Sequence, residues 1–262
     1  MNPLVSICCL AYNHEKLISD ALNGFLMQEA AFPYEIVVHD DASTDSTPDI
    51  IRQYQRNNPG LIRAIFQTEN QLSKTGIYPF VTHLYPTARG KYIADCDGDD
   101  YWTDPLKLQR QVDFLEANPG YSMCYHDLRM HFVDVNRMVA AYKTTPPDYS
   151  ELELIGFRGN WLHPSTKMWR NVFDADTKQD FEAFCGDYAL NVLMGMYGKC
   201  KYIAGIKPSV FRRNHGGNSW CCMTPTDTKM KTNAMFQRLY DFMVAKGNPQ
   251  YIAIRKEFLG KA

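Results

Sequence analysis

Between Asp95 and Asp104 the chain places five aspartates and neither Lys nor Arg, in the order Asp95-Cys96-Asp97-Gly98-Asp99-Asp100-Tyr101-Trp102-Thr103-Asp104. Carboxylates this dense repel one another unless a cation stands among them. Where the backbone is extended, Asp97 and Asp99 fall on one side of it about 6–7 Å apart, so one can accept from a ligand hydroxyl while the other holds a divalent metal. An all-oxygen donor set favours Mg2+ or Mn2+. The run is not an EF-hand calcium loop, because Asp100 stands where that loop turns on Gly and Leu106 where it needs a bidentate acid. A solvated turn, with Asp104 capping the next helix, is the alternative without chemistry.

A metal held in this way suits a nucleoside diphosphate, and the rest of such a pocket would do without a glycine loop. The sixteen glycines form neither the dinucleotide-binding pattern nor the P-loop pattern. What remains is a base stacked on Tyr12 and hydrogen-bonded to a carboxylate such as Asp41, with the diphosphate held through the metal.

The elements that must position these groups follow from the apolar pattern. Val5 to Leu10 reads as a strand, after which Asn13 can cap a helix carrying Leu17, Ile18, Ala21, Leu22, Phe25 and Leu26 at helical spacing. Glu35 to His39 is a second strand ending at Asp40-Asp41, followed by a helix with Pro48 in its first turn and a stop at Asn58-Pro59-Gly60. Leu61 to Phe66 and Lys91 to Asp95 read as two further strands, and a helix from Pro105 turns Leu108, Val112 and Leu115 inward. This alternation predicts an α/β sheet, parallel over at least its first half. Three strand ends, at Ala11-Tyr12-Asn13, Asp40-Asp41 and Asp97 to Asp100, would then meet at the carboxyl edge where such sheets bind ligands. Beyond Gly120 the pattern loosens into short strands and turns.

Three ordered stretches carry a resemblance: Val5-Ser6-Ile7 through Ala11-Tyr12-Asn13, then Glu35 to Asp45, then Gly90 to Ile93 with Asp97-Gly98-Asp99-Asp100-Tyr101-Trp102 and Lys107-Leu108. Together they resemble the family 2 glycosyltransferases, closely over residues 4 to 120 and more loosely over 155 to 220. The resemblance implies a GT-A fold, with a Rossmann-like nucleotide-binding half around a mixed central sheet, a less regular acceptor-binding half and C-terminal helices. It divides the chain into a glycosyltransferase domain over 1–220 (nucleotide-sugar half 1–120, acceptor and catalytic-base half 121–220) and a helical tail over 221–262. It further implies a nucleotide-sugar donor, UDP-linked by expectation, a divalent metal (Mn2+ or Mg2+) and inversion at the anomeric carbon.

By position, the resemblance puts Ala11 and Tyr12 in the nucleobase pocket, Asp41 on the base, Asp97 on the ribose and Asp99 on the metal, with Asp100 able to share either task. Asp187 becomes the candidate base, in a stretch where Gly186 replaces the first acid of the family's pair. His215, after Arg212-Arg213-Asn214, becomes a metal or phosphate contact. A single displacement needs one carboxylate to take the acceptor's proton and no enzyme nucleophile, so Asp187 would suffice. Trp102, Trp161 and His163 fall where an acceptor sugar could lie. A non-catalytic sugar-nucleotide or glycan-binding protein on the same fold stays open, as does a phosphatase with Asp95 as nucleophile.

The chain has 262 residues and a formal net charge of −1, which gives no basic field for nucleic acid. Its apolar runs are shorter than the ~20 residues of a membrane-spanning helix, and Met1-Asn2-Pro3 leads into a strand rather than a secretory leader. The eight cysteines include the adjacent pairs Cys8-Cys9 and Cys221-Cys222 and show no C-x-x-C spacing, which predicts reduced thiols in a cytoplasmic protein. Residues 221–262 hold seven Lys or Arg against three Asp or Glu, with apolar residues at helical spacing. That stripe could pack on the sheet, form a homodimer, or touch the inner face of a membrane if the saccharide acceptor is lipid-linked.

Overall fold

The computed structural model describes residues 2–76, 78–155, 162–172, 187–213 and 241. The first half alternates as expected: β1 (Val5–Ala11), α1 (Ile18–Leu26), β2 (Tyr34–Asp40), α2 (Thr47–Asn57), β3 (Ile62–Phe66), the short α3 (Gln71–Thr75), β4 (Tyr92–Asp95) and α4 (Lys107–Ala117). Then come β5 (Tyr121–Tyr125), the hairpin β6 (Leu128–Phe132) and β7 (Arg137–Ala140), α5 (Glu151–Ile155), β8 (Met168–Arg170), α6 (Asp187–Gly195), β9 (Lys199–Tyr202) and β10 (Ser209–Arg213). Seven strands form the central sheet in the order β3-β2-β1-β4-β8-β5-β9, and β10-β6-β7 form a second, smaller sheet. The β3, β2, β1 and β4 ladders are parallel. The three-residue β8 runs antiparallel between β4 and β5, which makes the sheet mixed.

Side-chain alternation along the strands sorts the core into two layers. Val5, Ile7, Cys9 and Ala11 of β1 join Ile36, Val38, Tyr92 and Ala94 on the face covered by α1, α2 and α4, where Leu108, Val112 and Leu115 are buried. Cys8, Val37, Ile93, Met123 and Trp169 lie on the other face, beneath residues 80–85, α5 and α6. Cys8, Cys9, Cys96, Cys124 and Cys200 are buried free thiols. Among the described residues no helix is long and apolar enough to cross a membrane.

Asn13 does not cap α1. The helix starts five residues later without a side-chain cap, and Asn13 sits at φ 57° in the turn after β1, a conformation Asn tolerates better than most residues. Its Oδ1 accepts from the Thr44 N–H at 2.8 Å and its own N–H donates to Ser43 Oγ at 2.9 Å. The Glu15 N–H donates to Asp45 Oδ2 at 3.1 Å. The loops after β1 and β2 are thus laced into one rim at the carboxyl edge of the sheet.

Candidate active site

The run after β4 turns back across the end of β1. The Cys96 N–H donates to the Cys8 carbonyl at 3.0 Å and the Gly98 N–H to the Leu10 carbonyl at 2.8 Å. A Cβ at position 98 would stand 2.8 Å from Ile18 Cδ1, 3.0 Å from His14 Nδ1 and 3.2 Å from Ala11 Cβ, so Gly lets the acidic loop lie this close without displacing the Ile18 and His14 side chains. The loop then presents Asp97, Asp99 and Asp100, each with an oxygen within 4.8 Å of the others.

Asp100 is buried, with Oδ1 accepting the Arg212 N–H at 3.0 Å. Burial, followed by the neighbouring charges of Asp99 and Asp97, pushes its carboxyl well above the usual carboxylate range. Mutual repulsion among three carboxylates in this space is what a divalent cation would relieve. The residues therefore fit the Mg2+ or Mn2+ implied by the resemblance, with Asp97 and Asp99, both less buried than Asp100, as the holders.

Two histidines flank the acids. His14 Nε2 lies 3.8 Å from Asp99 Oδ2, and His163 Nε2 lies 3.7 Å from Asp100 Oδ2. The Ser165 N–H donates to His163 Nδ1 at 3.4 Å, which leaves the ring proton on Nε2, on the Asp100 side. Burial first, and then the charge of Lys167, hold the His163 pKa down to about 3, so the ring is neutral. β10 clamps the same loop: Tyr101 and Val210 exchange two backbone hydrogen bonds, at 3.2 and 2.9 Å. The Arg212 guanidinium donates to the Asp99 carbonyl at 3.1 Å, pairs with Asp20 and lies 4.4 Å from the Tyr101 ring centroid.

The expected residues divide. Tyr12 is partly exposed at the end of β1, as a stacking platform requires. Ala11 is sealed in the core and lines no open pocket; it contributes a carbonyl that accepts the Asp41 N–H at 2.9 Å. Asp41 is 2 % exposed, and its two oxygens accept the N–H groups of Gln71 and Leu72 at 2.7 and 3.1 Å. Burial pushes its pKa up, but the His39 ring, with Nε2 3.5 Å from Oδ1, and these two amides outweigh it and leave it lowered. Its carboxylate first anchors α3, and a base could reach only its remaining lone pairs.

Trp102 corrects the acceptor expectation. It is 2 % exposed, edge-on to Phe25 at 4.8 Å between centroids and 4.3 Å from Lys107 Nζ. Its ring packs in the core, where no sugar can stack on it. His163, from the segment before β8, stands beside Asp100 of the acidic loop. The nucleophile reading of Asp95 also fails, since this side chain is 2 % exposed and its Oδ2 accepts from Trp169 Nε1 at 3.0 Å and Tyr85 OH at 3.1 Å. Asp104 is not the cap of α4, which starts after Leu106 without a side-chain cap; its carboxylate accepts the Leu106 N–H at 2.8 Å in the preceding turn and the Lys207 N–H at 2.7 Å. Asp187 is the first residue of α6, its side chain outside the described part. Trp161, His215 and the tail from 221 lie outside the described residues, Asp241 apart.

Sequence reading singled out neither His14 nor Asp20, and it noted Arg212 only as part of a longer segment. His14 carried a local signal, standing two residues after Tyr12 in a strand-end turn. Asp20 and Arg212 reach the loop through tertiary structure alone.

The profile of glycosyl transferase family 2 matches residues 6–175. The chain belongs to that family. An uncharacterized protein of Mycobacterium tuberculosis, Rv1520, is 43 % identical over 130 residues, covering 50 % of this chain and 36 % of the relative. The matched stretch thus spans about a third of that curated relative's length. Among solved structures, S. aureus TarS 1–349 in complex with UDP-GlcNAc superposes with a TM-score of 0.64 at 22 % identity, covering 89 % of this chain and 66 % of TarS 1–349. The mannosyltransferase PcManGT of Pyrobaculum calidifontis, in complex with GDP-Man and Mn2+, gives 0.55 at 16 % identity, covering 100 % of this chain and 81 % of PcManGT. At such identities these structures establish the fold, which is GT-A.

Proposed function

We propose that the chain transfers a glycosyl unit from a nucleoside-diphosphate sugar, UDP-linked, to a saccharide hydroxyl with inversion. The observation that carries this reading is the cluster of Asp97, Asp99 and Asp100, held at the carboxyl edge of the sheet, where the partly exposed Tyr12 follows β1. Asp97 and Asp99 would hold Mn2+ or Mg2+, which when bound offsets the charge of the departing nucleoside diphosphate. Tyr12 stacks the base. Arg212 and the neutral His163 hold the loop in shape while Asp97 and Asp99 keep oxygens for ligands.

Asp187 takes the proton of the acceptor hydroxyl as the acceptor oxygen bonds to the anomeric carbon and the bond from that carbon to the diphosphate breaks. Its place at the start of α6 favours the ionised form a base needs, because the helix dipole stabilises negative charge there. The UDP-GlcNAc bound to the similarly folded TarS supports a UDP-linked donor. The excess of Lys and Arg over residues 221–262 suits an acceptor presented at an anionic lipid surface.

UDP release from a panel of UDP-sugars with Mn2+ and saccharide acceptors tests this. The wild type should release UDP in an acceptor-dependent manner, and Asp187→Asn should lose at least about a hundredfold in kcat, the usual span for a general base. Nucleotide binding without acceptor-dependent release in any combination would favour a binding protein.

A further inference from the structure

The carboxyl edge of the sheet extends past the acidic loop. β4 and β5 both run antiparallel to β8 and so point the same way, and β9 runs parallel to β5. Tyr125 and Tyr202, the last residues of β5 and β9, therefore stand at the edge where β4 gives way to the acidic loop. With strands about 4.8 Å apart, Tyr125 lies roughly 10 Å and Tyr202 roughly 14 Å across the sheet from β4, farther than one sugar ring reaches. β10 joins the two regions: the Ser209 N–H donates to the Asp127 carbonyl at 3.1 Å, and the next residue, Val210, pairs with Tyr101.

Tyr125 is buried and anchors a cluster of rings. Its OH donates to the Pro147 carbonyl at 2.6 Å, and its ring centroid lies 5.5 Å from that of Tyr202, 6.1 Å from Tyr149 and 6.4 Å from Tyr142. Each of these three outer tyrosines is only partly covered. Two carboxylates border them. Tyr202 OH donates to Asp127 Oδ1 at 2.9 Å, and the Tyr202 N–H to Asp148 Oδ1 at 2.9 Å. Two backbone hydrogen bonds with Cys200, at 2.9 and 2.8 Å, hold Tyr149 against β9. Fixed, partly exposed rings beside carboxylates offer what a sugar needs: an apolar face for its C–H groups and acceptors for its hydroxyls.

We propose that Tyr142, Tyr149 and Tyr202, with Asp127, form an acceptor subsite that binds a sugar unit beyond the one that receives the transferred glycosyl group. This deepens the transferase reading and rests on it, and not on which residue is the base. Lys201 pairs with Asp148 at 2.7 Å, so with Asp127 the three charges sum to a negative value, which disfavours a phosphate group and suits a neutral sugar.

The test presents the full chain, with UDP and Mn2+, to an array of defined saccharides of one to three units. The wild type should be retained by at least one di- or trisaccharide, and more weakly by the monosaccharide that ends it. Tyr202→Ala should weaken that retention about tenfold through the lost ring contact, and Asp127→Asn, which keeps the side chain's shape, should do the same through the lost charged acceptor. Stabilisation by UDP with Mn2+ should stay as in the wild type, which shows that the variants fold; should Tyr202→Ala not fold, Asp127→Asn carries the test alone. Retention of the wild type by no saccharide, or equal retention of the wild type and the folded variants, would overturn the proposal. Turnover on the retained saccharide separates the subsite from the reading beneath it. If the variants lose retention but the wild type transfers no sugar, the tyrosines bind a saccharide and the transferase reading falls; if transfer proceeds with one acceptor KM in wild type and variants, only the subsite falls.

Discussion

Asp100 and Gly98 set the terms of the site for opposite reasons. The buried Asp100 carboxyl is pushed up by burial and by Asp99 and Asp97, so the loop stores repulsion that Arg212 offsets only in part. Gly98 allows that loop to lie against Ile18, His14 and Ala11. Gly98→Ala should therefore cost about 1–3 kcal/mol, the range for overpacking a filled core, and weaken UDP binding by displacing Asp99. Urea denaturation and nucleotide titration would show it, and wild-type stability would mean that the loop has slack. The acids themselves were legible in the sequence, because carboxylates at that density need an explanation wherever they lie. Trp102 and Ala11 were misread, since residue type says what a side chain can do and burial decides whether it can do it. The contact of His163 with Asp100 was not legible, because it depends on β10 and the 163–167 segment, which no local pattern reveals.

At the level of elements, β1, β2 and β4 are joined by a polar tie at their starting ends. Buried Glu35 accepts from Ser6 Oγ at 2.6 Å and from Arg89 Nε and Nη2 at 2.9 and 2.6 Å. Burial raises the Glu35 pKa, but the Arg89 and Ser6 hydrogen bonds and the charge of Arg63 prevail and leave it lowered. A carboxylate with a depressed folded-state pKa adds stability above its unfolded pKa of about 4.3, and that stability is lost as pH falls through the folded value. Glu35→Gln should cost about 1.5–3 kcal/mol at pH 7, as for hydrogen bonds to a charged group, and flatten the acid limb of the stability curve. Equal acid limbs in denaturation series at several pH values would contradict this. The alternating elements up to α4 could be read from periodicity, because each buries one face on the sheet. The antiparallel β8 could not, since three residues carry no period and their partners come from β4 and β5. Asn13 was misplaced as a cap because its side chain finds the backbone of the loop after β2 before that of α1.

For the molecule as a whole, a sheet covered on both faces leaves its carboxyl edge to be shaped by loops, and the loops after β1, β2 and β4 converge there. The sequence pattern foretold that convergence, since parallel strands of one sheet end at one edge. The closing contribution of β10, which belongs to the smaller sheet, arises from a pairing between Tyr101 and Val210 more than a hundred residues apart. The family match ends at residue 175, short of Asp187. The donor side thus rests on a matched stretch and a described geometry, and the base on its place at the head of α6.

A metal-bridged nucleotide site built on Asp97 and Asp99 is tested most directly by the melting temperature with UDP, in Mn2+ and in EDTA, for wild type and Asp99→Ala. A ligand that binds only the folded protein stabilises it by about 2.7 kcal/mol at a hundred times its Kd, a shift of several degrees or less for a domain of this size. Wild type should show that shift with UDP and Mn2+ and lose it in EDTA, and Asp99→Ala should not show it. Equal stabilisation by UDP in EDTA, or in Asp99→Ala, would contradict it.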